Sequence, residues 1–322
     1  MASPSTVFTE MVTTTLRHHP TSISDNVSKH NAFYFWLQRK GKIRNISGGY
    51  EIVKPLDYQE NQSFQRFSGY DTLNVQASDV LTAAKFEWVQ SALHVTASGR
   101  ELRQNSGKEQ LIDLAESRVK NALRTAANNM SLDIYSDGTL PNQMGGLAHL
   151  VQDAGQGTVG AINSATFSFW RNKFRETDGA DQVTKSTIKG EMNALYLDLV
   201  RGADKPDLII MSHDYYAMYW ESMQDLQRFM DADTAKAGFN TLKYVNSDVI
   251  FDSNTNYATT AQKAYFLNTD YLELYQHRDA KWTQIDDKIS INQDAVLIPL
   301  LWQGQMCVSN RSLQGVLIDA EA

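Results

Sequence analysis

The 322-residue sequence predicts a mixed α+β fold, on three observations. A long β-type hairpin occupies residues 48–96. A capping box near residue 106 opens a long amphipathic helix. A stretch with β-α order spans residues 185–252, and the chain that follows it is rich in strands.

The first 48 residues suggest two short helices rather than a domain. Ser5 or Thr6 starts one, carrying Val7, Phe8, Met11 and Val12 and stopping before Pro20. Ser24 or Asp25 caps a second that runs to Lys40 and is stopped by Gly41. Its Phe33, Phe35, Trp36 and Leu37 cover too much of the circumference for a surface helix. They pack either on this chain's own core or on a neighbour. The basic run Arg39-Lys40-Gly41-Lys42-Ile43-Arg44 reads as a helix C-terminus favoured by the dipole, or as an anchor to an acidic neighbour or nucleic acid.

In the hairpin, GGYEIVKPLDY leads out and AAKFEWVQSALHVT returns. Between them lies the polar tip QENQSFQRFSGYDTLN. A two-stranded hairpin is marginal alone in water, so this arm needs a surface, and a second copy of the chain can supply one. The helix after it has Ser106 as N-cap and Glu109 reaching back. Leu111, Ala115, Val119, Ala122, Ala126 and Met130 form its apolar stripe, Arg118, Lys120 and Arg124 its solvated faces, and it ends near Asp137-Gly138.

Gly155-Gln156-Gly157-Thr158-Val159-Gly160 matches a dinucleotide fingerprint letter for letter, with Glu176 or Asp178 beyond it. No buried strand precedes it and no helix-forming turn follows, so it reads as a glycine-rich loop. Lys185 to Arg201 is a helix with Ile188, Met192, Leu195 and Leu199 on one face, stopped by Gly202. Leu208–Met211 is a short buried strand. Ser212 caps the next helix, which runs through Tyr215, Tyr219 and Leu226. LKYVNSDVIFDS is a strand or hairpin, giving a small sheet covered by two helices. The remainder, from AYFLNT to GVLID, is strands.

The composition narrows the function. A net charge of −7 and a pI near 5.5 argue against tight duplex binding over a broad face. The single cysteine, Cys307, excludes an intrachain disulfide and any multi-cysteine metal site, and reads as a buried strand residue. The opening shows no secretory pattern, and no run approaches a membrane span. Ser212-His213-Asp214 has the letters of a triad, but chain neighbours cannot take those positions. The seven histidines show no metal spacing. Asp286-Asp287 and Asp231-x-Asp233 read as solvated turns. No catalytic residue, cofactor or metal is expected.

With the elements in this order, the chain resembles the major capsid proteins of tailed bacteriophages, with the Hong Kong phage capsid fold. It looks particularly similar to those of short-tailed phages. The opening MASPSTVFTEMVTTTL and the arm GGYEIVKPLDY carry most of that resemblance. Gly145-Gly146-Leu147, the loop ending at Gly160, Trp170-Arg171-Asn172 and DLIIMSHDYYAMYW add to it.

The resemblance implies an N-terminal arm (1–48), an extended loop (49–96) and a peripheral domain with a spine helix (97–139). An axial domain (140–162 and 184–262), a connection (163–183) and peripheral C-terminal strands (263–322) complete it. It implies a noncatalytic shell of pentamers and hexamers around double-stranded DNA, with a portal protein at one vertex and no membrane. Some relatives crosslink a loop lysine to a neighbour's asparagine. Here 57–71 holds no lysine, with Lys54 and Lys85 lower down, so a noncovalent shell is expected, with decoration protein an option. There is no room for a cleaved N-terminal scaffolding segment, so scaffolding is expected from a separate protein. Phe64, Arg66, Phe67 and Tyr70 at the loop tip, with Phe8, Met11 and Trp36, are the expected subunit-interface residues. The alternatives are another self-assembling shell or tail protein, or an enzyme binding a nucleotide at the Gly155–Gly160 loop.

Overall fold

A computed structural model describes residues 31–73, 78–98, 108–177, 182–223, 242–252, 262–284, 288–289 and 295–319. The first expected helix, with Phe8 and Met11, lies outside these residues, as do Ser106, Asp231, Asp233, Asp286 and Asp287.

Helix α1 (Ala32–Arg39) is capped by Asn31, whose Oδ1 accepts from the Tyr34 amide at 2.7 Å. The structure thus places the cap at Asn31 rather than at Ser24 or Asp25. Gly41 ends the helix with φ +64°, as the sequence suggests. Asn31 also donates to Ser131 Oγ at 3.0 Å, fixing α1 to α2 (Lys108–Ile134). Phe33, Trp36 and Leu37 are all buried in this chain's core, which accounts for the broad apolar circumference of α1. On α2 the stripe residues Val119, Ala122, Ala126 and Met130 are buried, joined by Leu123, Ala127 and Ile134.

Two sheets share the main core. The first contains β1 (Ile43–Ile46), β4 (Val89–Ser98), β12 (Leu272–Gln284), β13 (Lys288–Ile289) and β14 (Ala295–Val308). The second, six-stranded, runs β7-β15-β11-β8-β10-β9. Its members are β7 (Lys173–Thr177), β8 (Leu208–Met211), β9 (Leu242–Tyr244), β10 (Ser247–Phe251), β11 (Lys263–Leu267) and β15 (Gly315–Asp319).

In β8, Leu208 and Ile210 face the main core, while Ile209 and Met211 face α3 (Ile188–Leu199) and α4 (His213–Ser222). A strand buried on both faces reads as an unbroken apolar run, which is why Leu-Ile-Ile-Met is so legible. The expected helix face of Ile188, Met192, Leu195 and Leu199 is buried there too.

Two expectations change in part. The basic run divides: Arg39 and Lys40 close α1, as a helix C-terminus, while Lys42 leads into β1, which pairs in parallel with β12. Its Lys40, Lys42 and Arg44 meet Asp207, Asp270 and Glu273 at 3.4, 3.0 and 3.1 Å, all within the chain. Ser212 stands at the N-cap position of α4 without a capping bond, and its Oγ instead accepts from the Lys263 amide at 3.3 Å. Across residue 262, β11 and β15 pair in the six-stranded sheet with β8 and β7.

The Gly155–Gly160 segment leads into a small hairpin, β5 (Thr158–Val159) and β6 (Ile162–Asn163), followed by a 3-10 turn at Ser168–Trp170 and not by an α-helix. Gly160 and Ala161 both take positive φ at its turn, 61° and 62°. Cys307 is fully buried in β14, where burial pushes its thiol pKa up.

Candidate assembly surface

The arm is shorter than the sequence suggests, and its root has a core. β2 (Ile52–Asp57) pairs antiparallel with β3 (Leu81–Phe86), from Ile52↔Phe86 to Asp57↔Leu81. Beyond Glu87-Trp88 the returning chain leaves the hairpin, and β4 joins β14 over ten residue pairs. Residues 89–96, expected in the arm, therefore belong to a sheet.

The two faces of the root follow the period of two. Ile52, Leu56, Ala84 and Phe86 are buried in the main core. They rest on the glycine hairpin, where the Lys85 amide donates to the Gly160 carbonyl at 2.9 Å. A Cβ at Gly160 would come within 2.8 Å of the Ala84 Cβ, so a side chain there would push the arm off its seat. The outer face carries Val53 and Leu81, 52 % and 68 % exposed.

An ion cluster holds the arm at one angle. Lys54 donates to Glu273 on β12 and, at 2.6 Å, to the Tyr275 hydroxyl, while Arg44 reaches the other Glu273 oxygen at 3.1 Å. Burial raises the Glu273 carboxyl, but the bonds from Lys54 and Tyr275 outweigh it and leave the pKa below its usual value. Its contribution is thus complete above the ordinary carboxylate range and disappears as pH falls through the depressed value. Limited proteolysis of the arm should accelerate only in acid below about pH 4. In Glu273→Gln it should already be fast at neutral pH; equal rates for the two proteins at pH 7 would show that the cluster does not hold the arm.

The tip is ordered by local bonds instead of burial. The Ser68 amide donates to Asp71 Oδ2 at 2.8 Å, the Asp71 amide returns to the Ser68 carbonyl at 3.1 Å, and Gln65 Nε2 donates to the Thr72 carbonyl at 2.9 Å. Phe64, Phe67 and Tyr70 are 81 %, 62 % and 106 % exposed, and Arg66 is exposed with them. These four expected interface residues thus stand together. Trp36 does not join them: only 4 % exposed, it lies under the cations of Arg39 and Lys40 in its own chain.

Beside the arm root opens a groove of about 840 Å³, between Pro55–Tyr58 and the 168–174 segment, bounded also by Arg201, Tyr271 and Asn310. Its walls come from five distant stretches, so no local pattern marks it.

No family profile and no curated protein matches the sequence. Solved structures do. The capsid asymmetric unit of cyanophage A-1(L) is 14 % identical, with a TM-score of 0.60 over 86 % of this chain and 89 % of that one. The capsid of a native GTA particle is 11 % identical, with a TM-score of 0.53 over 88 % and 89 %. The holo-SrpI encapsulin complex from Synechococcus elongatus PCC 7942 is 8 % identical, with a TM-score of 0.56 over 88 % and 86 %. At such identities the likeness establishes the fold, a mixed α+β chain with the Hong Kong phage capsid architecture.

Proposed function

We propose that this chain is the major capsid protein of a short-tailed double-stranded DNA bacteriophage, and that it self-assembles into an icosahedral shell. The observation that carries this reading is a locally ordered arm tip that exposes three aromatic rings on a fold shared with capsid subunits. Three aromatic side chains in water over so short a stretch fit a contact surface, and aromatics with Arg make the strongest anchors in protein interfaces.

In this reading the role is structural, with assembly in the host cytoplasm and residence in the virion. The segment before Asn31 lies along a neighbour, with Phe8 and Met11 as its anchors, while α1 and β1 stay with their own chain. Copies meet as pentamers and hexamers, a portal protein occupies one vertex, and scaffolding or decoration comes from separate chains. The tip segment 57–71 lacks lysine, so the shell is held by packing and polar contacts. A net charge of −7 suits a container that does not grip its DNA.

The encapsulin likeness supports a second reading, a protein-filled compartment. Negative-stain microscopy of the purified protein tests both, with closed shells tens of nanometres across as the expected result. Monomers or open fibres under all assembly conditions would overturn the shell reading. Particles formed in the native host that hold protein cargo without DNA would favour the compartment.

A further inference from the structure

We infer that the groove at the arm root is the receptor for the arm tip of a second copy. This rests on the shell reading and names the two surfaces that meet.

The groove has the chemistry of a receptor. Arg171, Lys173 and Arg201 put three cations around it, against the single carboxylate of Asp57 at its lip. Arg171 is committed to the carbonyls of Ser164 and Ala165, at 2.8 and 2.9 Å, which leaves Lys173 and Arg201 as the exposed cations that face a ligand. Tyr58 and Phe169 pack at 5.6 Å between ring centroids on its wall, and Phe174 lies along it, 47 % exposed. The wall thus combines aromatic faces with positive charge.

The tip has the complementary chemistry. Residues 58–73 carry Glu60 and Asp71 against one cation, Arg66, and present the aromatic rings of Phe64, Phe67 and Tyr70. Aromatic rings meet aromatic walls, and carboxylates meet Lys173 and Arg201.

The donor must be a different copy. Within one chain the groove is lined by 55–58 of the arm and by no residue of 59–73, and the tip rings are exposed instead of seated in it. Each chain therefore donates one tip and offers one groove. Passed head to tail from copy to copy, such a contact is heterologous and closes as a ring when the rotation between copies allows it. A groove at the root of one arm and a plug at the tip of the next give the directional link that a closed shell requires.

The test assembles ¹⁵N-labelled and unlabelled protein together, treats the particles with a zero-length carbodiimide, and maps joined peptides by mass spectrometry. The expected product links Lys173 of one isotope to Glu60 or Asp71 of the other. Lys173→Glu/Arg201→Glu should lower particle yield at least tenfold, with subunit melting unchanged. Mixed-isotope links from Lys173 to other regions, or a normal particle yield from that variant, would overturn the tip-in-groove contact while leaving the shell reading standing. Failure of the unaltered protein to form particles would instead overturn the shell reading.

Discussion

Phe67→Ala/Tyr70→Ala should abolish shell formation while leaving the subunit folded. The two rings are 62 % and 106 % exposed and bury almost nothing in their own chain. Their removal should change subunit stability by less than about 0.5 kcal/mol, the usual effect of surface substitutions. At an interface the arithmetic differs. Truncating a central aromatic anchor costs roughly 2 kcal/mol or more, so two cost about 4 kcal/mol, near a thousandfold in each contact. A shell repeats that contact in every subunit, so even a fraction of this loss prevents closure. Thermal unfolding of the isolated subunit and sedimentation of the assembly reaction separate the two effects. Normal particles from the double variant would remove the tip from the interface; a subunit that no longer melts cooperatively would mean that the rings support the fold.

Elements that satisfy themselves locally were legible in the sequence. The stripe of α2 and the face of α3 follow from helical spacing, and β8 is a short apolar run bounded by Pro206 and Ser212. The glycine loop lacks the flanking strand and helix of a nucleotide site in the sequence, and it folds as a hairpin. What was lost depended on distant partners. β1 looked like a charged helix end because its pairing comes from β12, more than 200 residues later. β4 looked like the return of the hairpin because strand propensity does not say which strand is the partner, and β14 is the partner. Residues 173–177 read as a connection because four of five side chains of β7 are exposed. At the assembly surface the exposed aromatics of the tip were readable, whereas the groove exists only after folding.

Arg311→Met should be among the most destabilising single substitutions in the chain, although nothing in Ser309-Asn310-Arg311-Ser312 marks it in the sequence. Arg311 is fully buried in the link between β14 and β15, where the two sheets join. Its Nε donates to the Leu150 carbonyl at 2.7 Å, and Nη1 donates to Ser164 Oγ at 3.1 Å and to the Trp170 carbonyl at 3.3 Å. One guanidinium therefore ties the helical turn at Leu147–Leu150, the end of the glycine hairpin and the segment before β7 to the sheet junction. Burial pushes its pKa down to about 10, so the group stays charged at neutral pH and its desolvation is offset by these bonds. Met fills similar space but leaves three acceptors unpaired, at about 1–3 kcal/mol each, partly relieved by removing a buried charge. The expected loss is roughly 2–4 kcal/mol, read as a lower denaturant midpoint with an unchanged slope. Arg311→Lys distinguishes charge from geometry. It keeps the cation but not the planar fork that spans all three acceptors, so it should fall about as far as Met. Full stability in the Lys variant would mean that charge alone suffices there, and full stability in the Met variant would show that the junction is held by packing without the fork.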